Sequence, residues 1–221
     1  MTETKPTPDK SALSRERILR AAMALADADG LENLSMRKLA QALGVEAMSL
    51  YNHVKNKEDM LDGMVEQIVT GFHAPKDQDD WLAELRLRAT CAHATLTRHP
   101  WAAHLLLGRV NAGPRMLGYV DATLGCLHKA GFAYQDADRI WNALDSHIYG
   151  FALQDQKFPF KPEEFASVAA QYLPQIPQSD LPHLHALTSE VAAGQHYGAQ
   201  DFSFGLNLLL DAIARLPRHQ P

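Results

Sequence analysis

The segment from Ser35 to Lys57 gathers groups that can address a nucleic acid. Arg37, Lys38, Lys55 and Lys57 stand there against one carboxylate, Glu46, and Ser35, Ser49, Tyr51, Asn52 and His53 add neutral hydrogen-bonding groups. A small positive patch of this kind fits a short, specific contact with DNA, in which polar side chains meet base edges and cations meet phosphates. Catalytic arrangements are missing by comparison. The sequence holds no nucleophile elbow, no phosphate-cradling Gly-rich loop and no paired-His zinc helix. No catalytic residue is assigned and an enzyme is not expected. Cys91 and Cys126 are the only cysteines, which excludes a disulfide framework and starves a Cys-based zinc site of ligands. His183 and His185 fall in a Pro-rich stretch read as loop, and His93 and His99 are not at ligand spacing, so neither a metal nor a cofactor is expected.

A DNA-reading patch needs a frame. A helix in the major groove needs only two turns, but a partner helix must hold it at a fixed angle. The pattern predicts that frame. Ser35 is a helix N-cap, and Leu34 before it can staple onto Leu39. Met36, Leu39, Ala40 and Leu43 form an apolar stripe, and Gly44 stops the helix. After Val45 comes a very short helix, residues 46–53, which makes the pair a helix-turn-helix. Leu50 is expected to face inward toward Leu39, Leu43 and Val54. Glu46, Ala47, Ser49, Tyr51, Asn52 and His53 are left outward. So short a helix is not stable alone, and its polar face gains little from packing, which favours a role in interaction over one in stability.

The rest of the chain carries this frame. Its 221 residues are 46% apolar and 21% charged, values of an ordinary globular protein that exclude wholesale disorder. The longest uncharged stretch, Phe165–Ser179, contains two prolines and is too short and too polar to span a membrane. Met1–Ser14 is polar, without the apolar core of a secretory signal, so a cytoplasmic protein with no membrane partner is expected. Residues 1–60 are neutral, with nine basic and nine acidic side chains, so the body supplies the whole net charge of −5. Nearly everything reads as helix. A disordered tail is expected over 1–13 and a first helix over 14–29. A fourth helix runs from Lys57, capped by Asn56, to about Phe72, and 73–79 is a hinge. Further helices are expected at about 79–98, 101–107, 114–129, 135–156, 163–173 and 201–216, with loops at 173–182 and 194–199.

The run Leu-Gly-Val, then Leu-Tyr-Asn-His-Val-Lys-Asn-Lys, then Met60-Leu61 resembles the TetR family of transcriptional repressors, of TetR/AcrR type. The resemblance is strong over residues 14–65 and holds only in outline beyond. It implies an all-α fold: an N-terminal three-helix helix-turn-helix DNA-binding domain (14–60) and a larger C-terminal helical domain (61–221) for effector binding and dimerisation. It also implies a ligand-responsive homodimeric regulator, in this family more often a repressor than an activator, that binds a palindromic double-stranded operator and is released by a small-molecule effector. Arg37 stands where the family often contacts DNA, and Ala47, Met48 and Ser49 stand at base-reading positions. These small or apolar side chains either pack on thymine methyls or, for Met48, brace half-buried on the scaffold. Tyr51 and His53 stand where the family binds phosphates, unless the Tyr51 ring is buried. Lys57 adds its ammonium to the N-terminus of the fourth helix, itself a phosphate site. Glu46 either accepts from a cytosine N4 or turns away to cap the helix. With Ser35, Lys38 and Asn52 these complete the candidate DNA-contacting set. Glu46 and the modest charge of this segment also fit a helical interaction protein of the same fold that has lost specific DNA binding. Arg37, Tyr51 and Lys57 argue against that alternative.

The body is less legible. Polar or aromatic residues on otherwise apolar faces are the candidate effector-binding set: His104, Met116, Tyr119, Thr123, Trp141, His147, Phe151 and Gln154. Two helices repeat apolar residues at 4-3-4-3 spacing, and the candidate dimer contacts are Trp141, Leu144 and Ile148 on one, and Phe202, Leu206, Leu209 and Ile213 on the other. Burial of both stripes inside the chain's own core is the competing expectation.

Overall fold

Three side-chain caps and one left-handed glycine set the first four helices of the computed structural model. It describes residues 12–76, 80–157, 160–195 and 201–218. α1 (Arg15–Asp29) starts at Ser14, whose hydroxyl accepts from the Arg17 amide. α2 (Met36–Leu43) starts at Ser35, which accepts from the Lys38 amide. α4 (Lys57–Val69) starts at Asn56, whose carbonyl oxygen accepts from the Asp59 amide at 2.8 Å. Each cap satisfies an amide that the helix cannot. Gly44 ends α2 with φ 68° and ψ 34°, and its amide returns to Gln41 O at 3.2 Å. A side chain at that φ is strained, which is why glycine belongs at the turn. α3 then spans only Ala47–Leu50, with turns carrying the chain through His53.

The body follows as α5 (Trp81–Arg98), α6 (Ala102–Leu107), α7 (Pro114–Lys129) and α8 (Tyr134–Lys157), then α9 (Phe165–Tyr172), α10 (Pro182–Ala192) and α11 (Phe202–Ala214). Short 3₁₀ turns precede α2 and flank α9. Among the described residues no strand occurs, and no helix is long and apolar enough to cross a membrane. The fold is all-helical, with a helix-turn-helix at the N-terminal end and a larger helical body.

Several boundaries differ from those expected. The third helix is four residues rather than eight, and the fourth ends at Val69 rather than near Phe72. The segment 163–173 is split: a 3₁₀ turn over Pro162–Glu164 precedes α9, and Leu173 already belongs to the next turn. α10 was not expected at all. Pro182 reads as a loop residue, yet it sits at the first helical position, where a missing amide hydrogen has no effect. His183 and His185 therefore lie on this helix and not in a loop. The tail over 1–11, the hinge residues 77–79 and the loop residues 196–199 fall outside the described residues.

One apolar core runs from α1 to α11. Ile18, Leu39, Leu50, Met60 and Met64 fill it beneath the helix-turn-helix, and Leu85, Leu96, Leu127, Leu144 and Leu206 fill it in the body. α4 joins the two ends. Its acidic edge is held from the body: Arg109 pairs with Glu58 and, at 2.6 Å, with Asp62. The Glu66 carboxylate accepts the first amides of α7, from Arg115 at 2.9 Å and Met116 at 3.2 Å. α1 is tied across as well. Asp27 accepts from the Trp101 indole at 2.6 Å and contacts the His99 ring at 2.8 Å.

Candidate functional site

α3 is positioned from below by one side chain. Leu50 has no exposed surface, Leu39 has none, and Val54 keeps 1%. Burying a leucine contributes roughly 2 kcal/mol, which is what ties a helix of one turn to its partner. From above, the same turn presents a bare face. Met48 is 75% exposed and Tyr51 is 44% exposed. Glu46 and Asn52 are exposed as well, and Ala47, Ser49 and His53 are half-buried. Met48 is therefore not braced on the scaffold, and the Tyr51 ring is not buried. Glu46 makes no capping hydrogen bond through its side chain, so its carboxylate faces solvent. Arg37 and Lys38 are exposed on α2, Lys57 is exposed at the start of α4, and Ser35 is occupied as a cap.

The loop after α3 is clamped. Both Arg15 nitrogens reach the Asp59 carboxylate at 2.8 Å, and one also donates to His53 O at 3.3 Å. Asp59 further accepts the Lys55 amide at 2.8 Å. Its hydrogen bonds to Arg15 hold the Asp59 carboxyl well down, to a pKa of about 2, with the Lys55 amide adding to the effect. Sequence reading missed this pair. The signal available was Asp59 at the third position of a capped helix, with a basic residue at the start of α1.

In the body the candidate effector residues fall into three groups. Tyr119 and Thr123 of α7 are buried, with Met116 on the same face, and they meet a residue not singled out beforehand. Arg88 of α5 is fully buried; its Nε donates to the Thr123 hydroxyl at 3.0 Å and its Nη2 to Asp145 at 2.7 Å. The guanidinium lies 4.7 Å from the centroid of the Tyr119 ring. Among the described residues its Nη1 has no hydrogen-bond partner, and neither has the buried indole nitrogen of Trp141. Burial pushes the Tyr119 and Tyr149 hydroxyls above the ordinary tyrosine range, so both stay protonated. The second group is aromatic: Phe202 stacks on His93 at 4.0 Å and on His147 at 4.9 Å, with Phe151 edge-on. His104 and Gln154 form the third group. Both are exposed on the surface and join neither cluster. The one signal for Arg88 in the sequence is a charge inside the stripe Leu85, Ala89, Ala92, Leu96.

The candidate dimer residues are used differently from the expectation. Leu144, Ile148, Phe202, Leu206 and Ile213 pack inside the chain's own core, and Trp141 and Leu209 are half-buried. The face of α11 left bare carries Phe204 at 64% exposure and Leu208 at 57%. α11 has two apolar stripes, and spacing alone does not tell which one turns inward.

Comparison with known proteins agrees with this architecture. Residues 18–64 match the family described as bacterial regulatory proteins of the tetR family, and residues 74–216 match the tetracycline-repressor-like C-terminal domain. A tetracycline repressor protein of class E from Escherichia coli is 30% identical over 93% of this chain and 96% of its own. The transcriptional repressor DrrR1 of Streptomyces coeruleorubidus is 29% identical over 92% of this chain and 78% of its own. The crystal structure of ActR from Streptomyces coelicolor in complex with actinorhodin superposes with a TM-score of 0.76 at 26% identity, covering 92% of this chain and 98% of that one. With a helix-turn-helix at one end and a matching helical body over most of the remainder, the chain belongs to the TetR family of transcriptional regulators.

Proposed function

We propose that this protein is a homodimeric cytoplasmic repressor that binds a palindromic operator through α3 and the start of α4 and releases it when a small molecule enters the body. The observation that carries the reading is the two-sided character of α3: Leu50 is fully buried, while Met48, two residues earlier and so on the opposite face, is 75% exposed. In this reading Ala47, Met48 and Ser49 meet base edges, with Met48 on thymine methyls, and Arg37 reaches a guanine from α2. Tyr51, His53 and Lys57, with Ser35, Lys38 and Asn52 beside them, set the register on phosphates. Glu46, exposed and uncapped, faces a cytosine N4.

Two copies are needed to place two α3 helices about 34 Å apart in successive major grooves. The bare stripe Phe204 and Leu208 on α11, beside α8, is the surface this reading gives to the partner. Residues 14–60 act as the reading head and 61–221 as the effector and dimer body, with α4 as the connector. The clamps Arg109–Glu58/Asp62 and Glu66–α7 tie α4 to the part of the body where Tyr119 and Arg88 lie. A cleft of about 330 Å³ beside α4, lined by Asp62, Glu66 and Asn111 among others, gives it room to tilt. An effector needs only to prefer the tilted state by a few kcal/mol to lower operator affinity. The complex of the relative ActR with actinorhodin supports a small-molecule effector here.

Selection of binding sites from a random DNA pool tests this. Recovery of an inverted repeat with half-site centres one helical turn apart, or a small multiple of it, is expected. Enrichment of single, unpaired sites overturns the dimeric reading, and no enrichment at all overturns operator recognition.

A further inference from the structure

α1 of the helix-turn-helix unit and α5 of the body meet along one joint. Asp27 of α1 holds the Trp101 indole and the His99 ring, just beyond the end of α5. The end of α4 is pressed onto α5 as well. The Thr95 hydroxyl donates to Gly71 O at 3.1 Å, and a Cβ at Gly71 would lie 2.6 Å from that hydroxyl oxygen. Beside these contacts a cleft of about 240 Å³ stays open, walled by α1, the end of α4 and the last turns of α5. None of its lining residues belongs to the Arg88–Tyr119 cluster or to the His93–Phe202 cluster.

The cleft joins a cationic rim to an apolar floor. Arg20 lines it from α1 and Arg98 from the last turn of α5, and both are exposed. Met23 is half-buried and Ile68 is buried. Among the described residues Arg98 has no hydrogen bond or ion pair, and neither has the half-buried side-chain amide of Gln67. Arg20 is matched only by Glu16 at 3.1 Å, an exposed pair one helical turn apart, and such pairs are weak. His99 is committed to Asp27. Two guanidinium groups from different helices thus share one cleft with a single carboxylate, which is itself loosely held.

This pattern defines the missing partner. A guanidinium presents a planar fork that matches the two oxygens of a carboxylate. One fork on each wall calls for two carboxylates, and an apolar floor suits methylene groups between them. Inorganic phosphate supplies the charge but nothing for Met23 and Ile68 to cover. The volume lies below the range of roughly 300–1,000 Å³ that holds drug-sized ligands, so the molecule is one of a few carbons.

We propose that this cleft is a small-molecule site at the joint, and that it takes a short aliphatic dicarboxylate, with one carboxylate on Arg20, the other on Arg98 and the Gln67 amide donating between them. Such an occupant has one foot on α1 and one on α5. It therefore binds the present arrangement of reading head and body and stabilises it.

Titration calorimetry on the full-length protein at low ionic strength tests this with glutarate, glutaramide and inorganic phosphate. Glutarate should bind saturably. Glutaramide keeps the shape without the charges and should bind about tenfold more weakly, with phosphate also weaker than glutarate. Arg20→Gln and Arg98→Gln are surface changes that leave the far-ultraviolet spectrum unaltered, and each should weaken glutarate about tenfold, the scale of one charge-assisted contact. Glu16→Gln frees Arg20 from its pair and should tighten glutarate. Glutarate should also raise the wild-type melting temperature, by an amount that grows with its concentration, and raise that of Arg98→Gln less at the same concentration. No saturable binding of glutarate, glutaramide binding as tightly as glutarate, or loss of affinity in only one of the two arginine variants overturns the proposal. Phosphate binding as tightly as glutarate overturns the dicarboxylate assignment.

Discussion

Arg15 and Asp59 form a forked pair, both nitrogens 2.8 Å from the carboxylate oxygens, that ties the first turn of α1 to the first turn of α4. Because Arg15 also donates to His53 O, and Asp59 also accepts the Lys55 amide, the pair holds the whole segment that leaves α3. The geometry of the reading head thus depends on residues that need not touch DNA.

Asp59→Asn should loosen that segment. The folded-state value of about 2 lies below the ordinary aspartate value near 4, so the unfolded chain binds more protons in between. The contribution is fully present above about pH 4 and is lost as pH falls through 2. After allowance for solvent at a partly exposed pair, it is worth about 1 kcal/mol at pH 7. Denaturant melts of wild type and Asp59→Asn from pH 7 down to 2.5 should show that difference shrinking with acid, alongside weaker operator binding by the variant at pH 7.

His93 supplies a second pH dependence, of the same sign but in another range. Burial lowers its pKa, with Asp155 at 3.5 Å opposing in part. Its folded-state value therefore lies below the unfolded value near 6.5. Stability from this site is full above about pH 6.5 and falls as pH drops below it, because the unfolded chain takes up the proton more readily. His93→Phe, which keeps a ring against Phe202, should flatten the fall in melting temperature between pH 7 and 5.5. An unchanged slope would show that His93 is not the group responsible.

The bare stripe of α11 predicts an assembly defect. Phe204→Glu combined with Leu208→Glu places two like charges where an apolar partner face is expected, without disturbing the buried Leu206 and Leu210. Analytical ultracentrifugation should then give a folded monomer with an unchanged far-ultraviolet spectrum. A dimer that persists in the double variant would move the interface elsewhere.

The reading head was legible because its information is local. Ser35 and Asn56 act as the caps their types and positions imply, Gly44 takes the left-handed turn, and Leu50 turns inward, while Ser14, expected as the first residue of its helix, is the cap before it. The body was less legible because its information is not local. Pro182 is equally at home ending a loop and starting a helix, and only the packing of α10 against α9 decides it. Leu144 and Leu206 show the spacing of a dimer stripe but fill the chain's own core. Tyr119 and Thr123 reach a common cluster because four-residue spacing keeps them on one face of α7. His104 and Gln154, chosen by polarity alone, lie on the surface. Arg88 passed unremarked because a charge in an apolar stripe gains its meaning only when Thr123 and Asp145 arrive from other helices.

The central claim is that the outer face of α3 and its neighbours reads a specific duplex sequence. Fluorescence anisotropy of the selected inverted repeat against a scrambled duplex, over a range of salt, tests it most directly with wild type, Arg37→Ala and Lys57→Ala. Wild type should prefer the repeat strongly. Arg37→Ala should lose about 1–3 kcal/mol and relax preference at one base pair per half-site. Lys57→Ala should weaken both duplexes alike and lower the salt slope by about one per lost phosphate contact. Equal affinity of all three proteins for repeat and scrambled DNA would contradict the account.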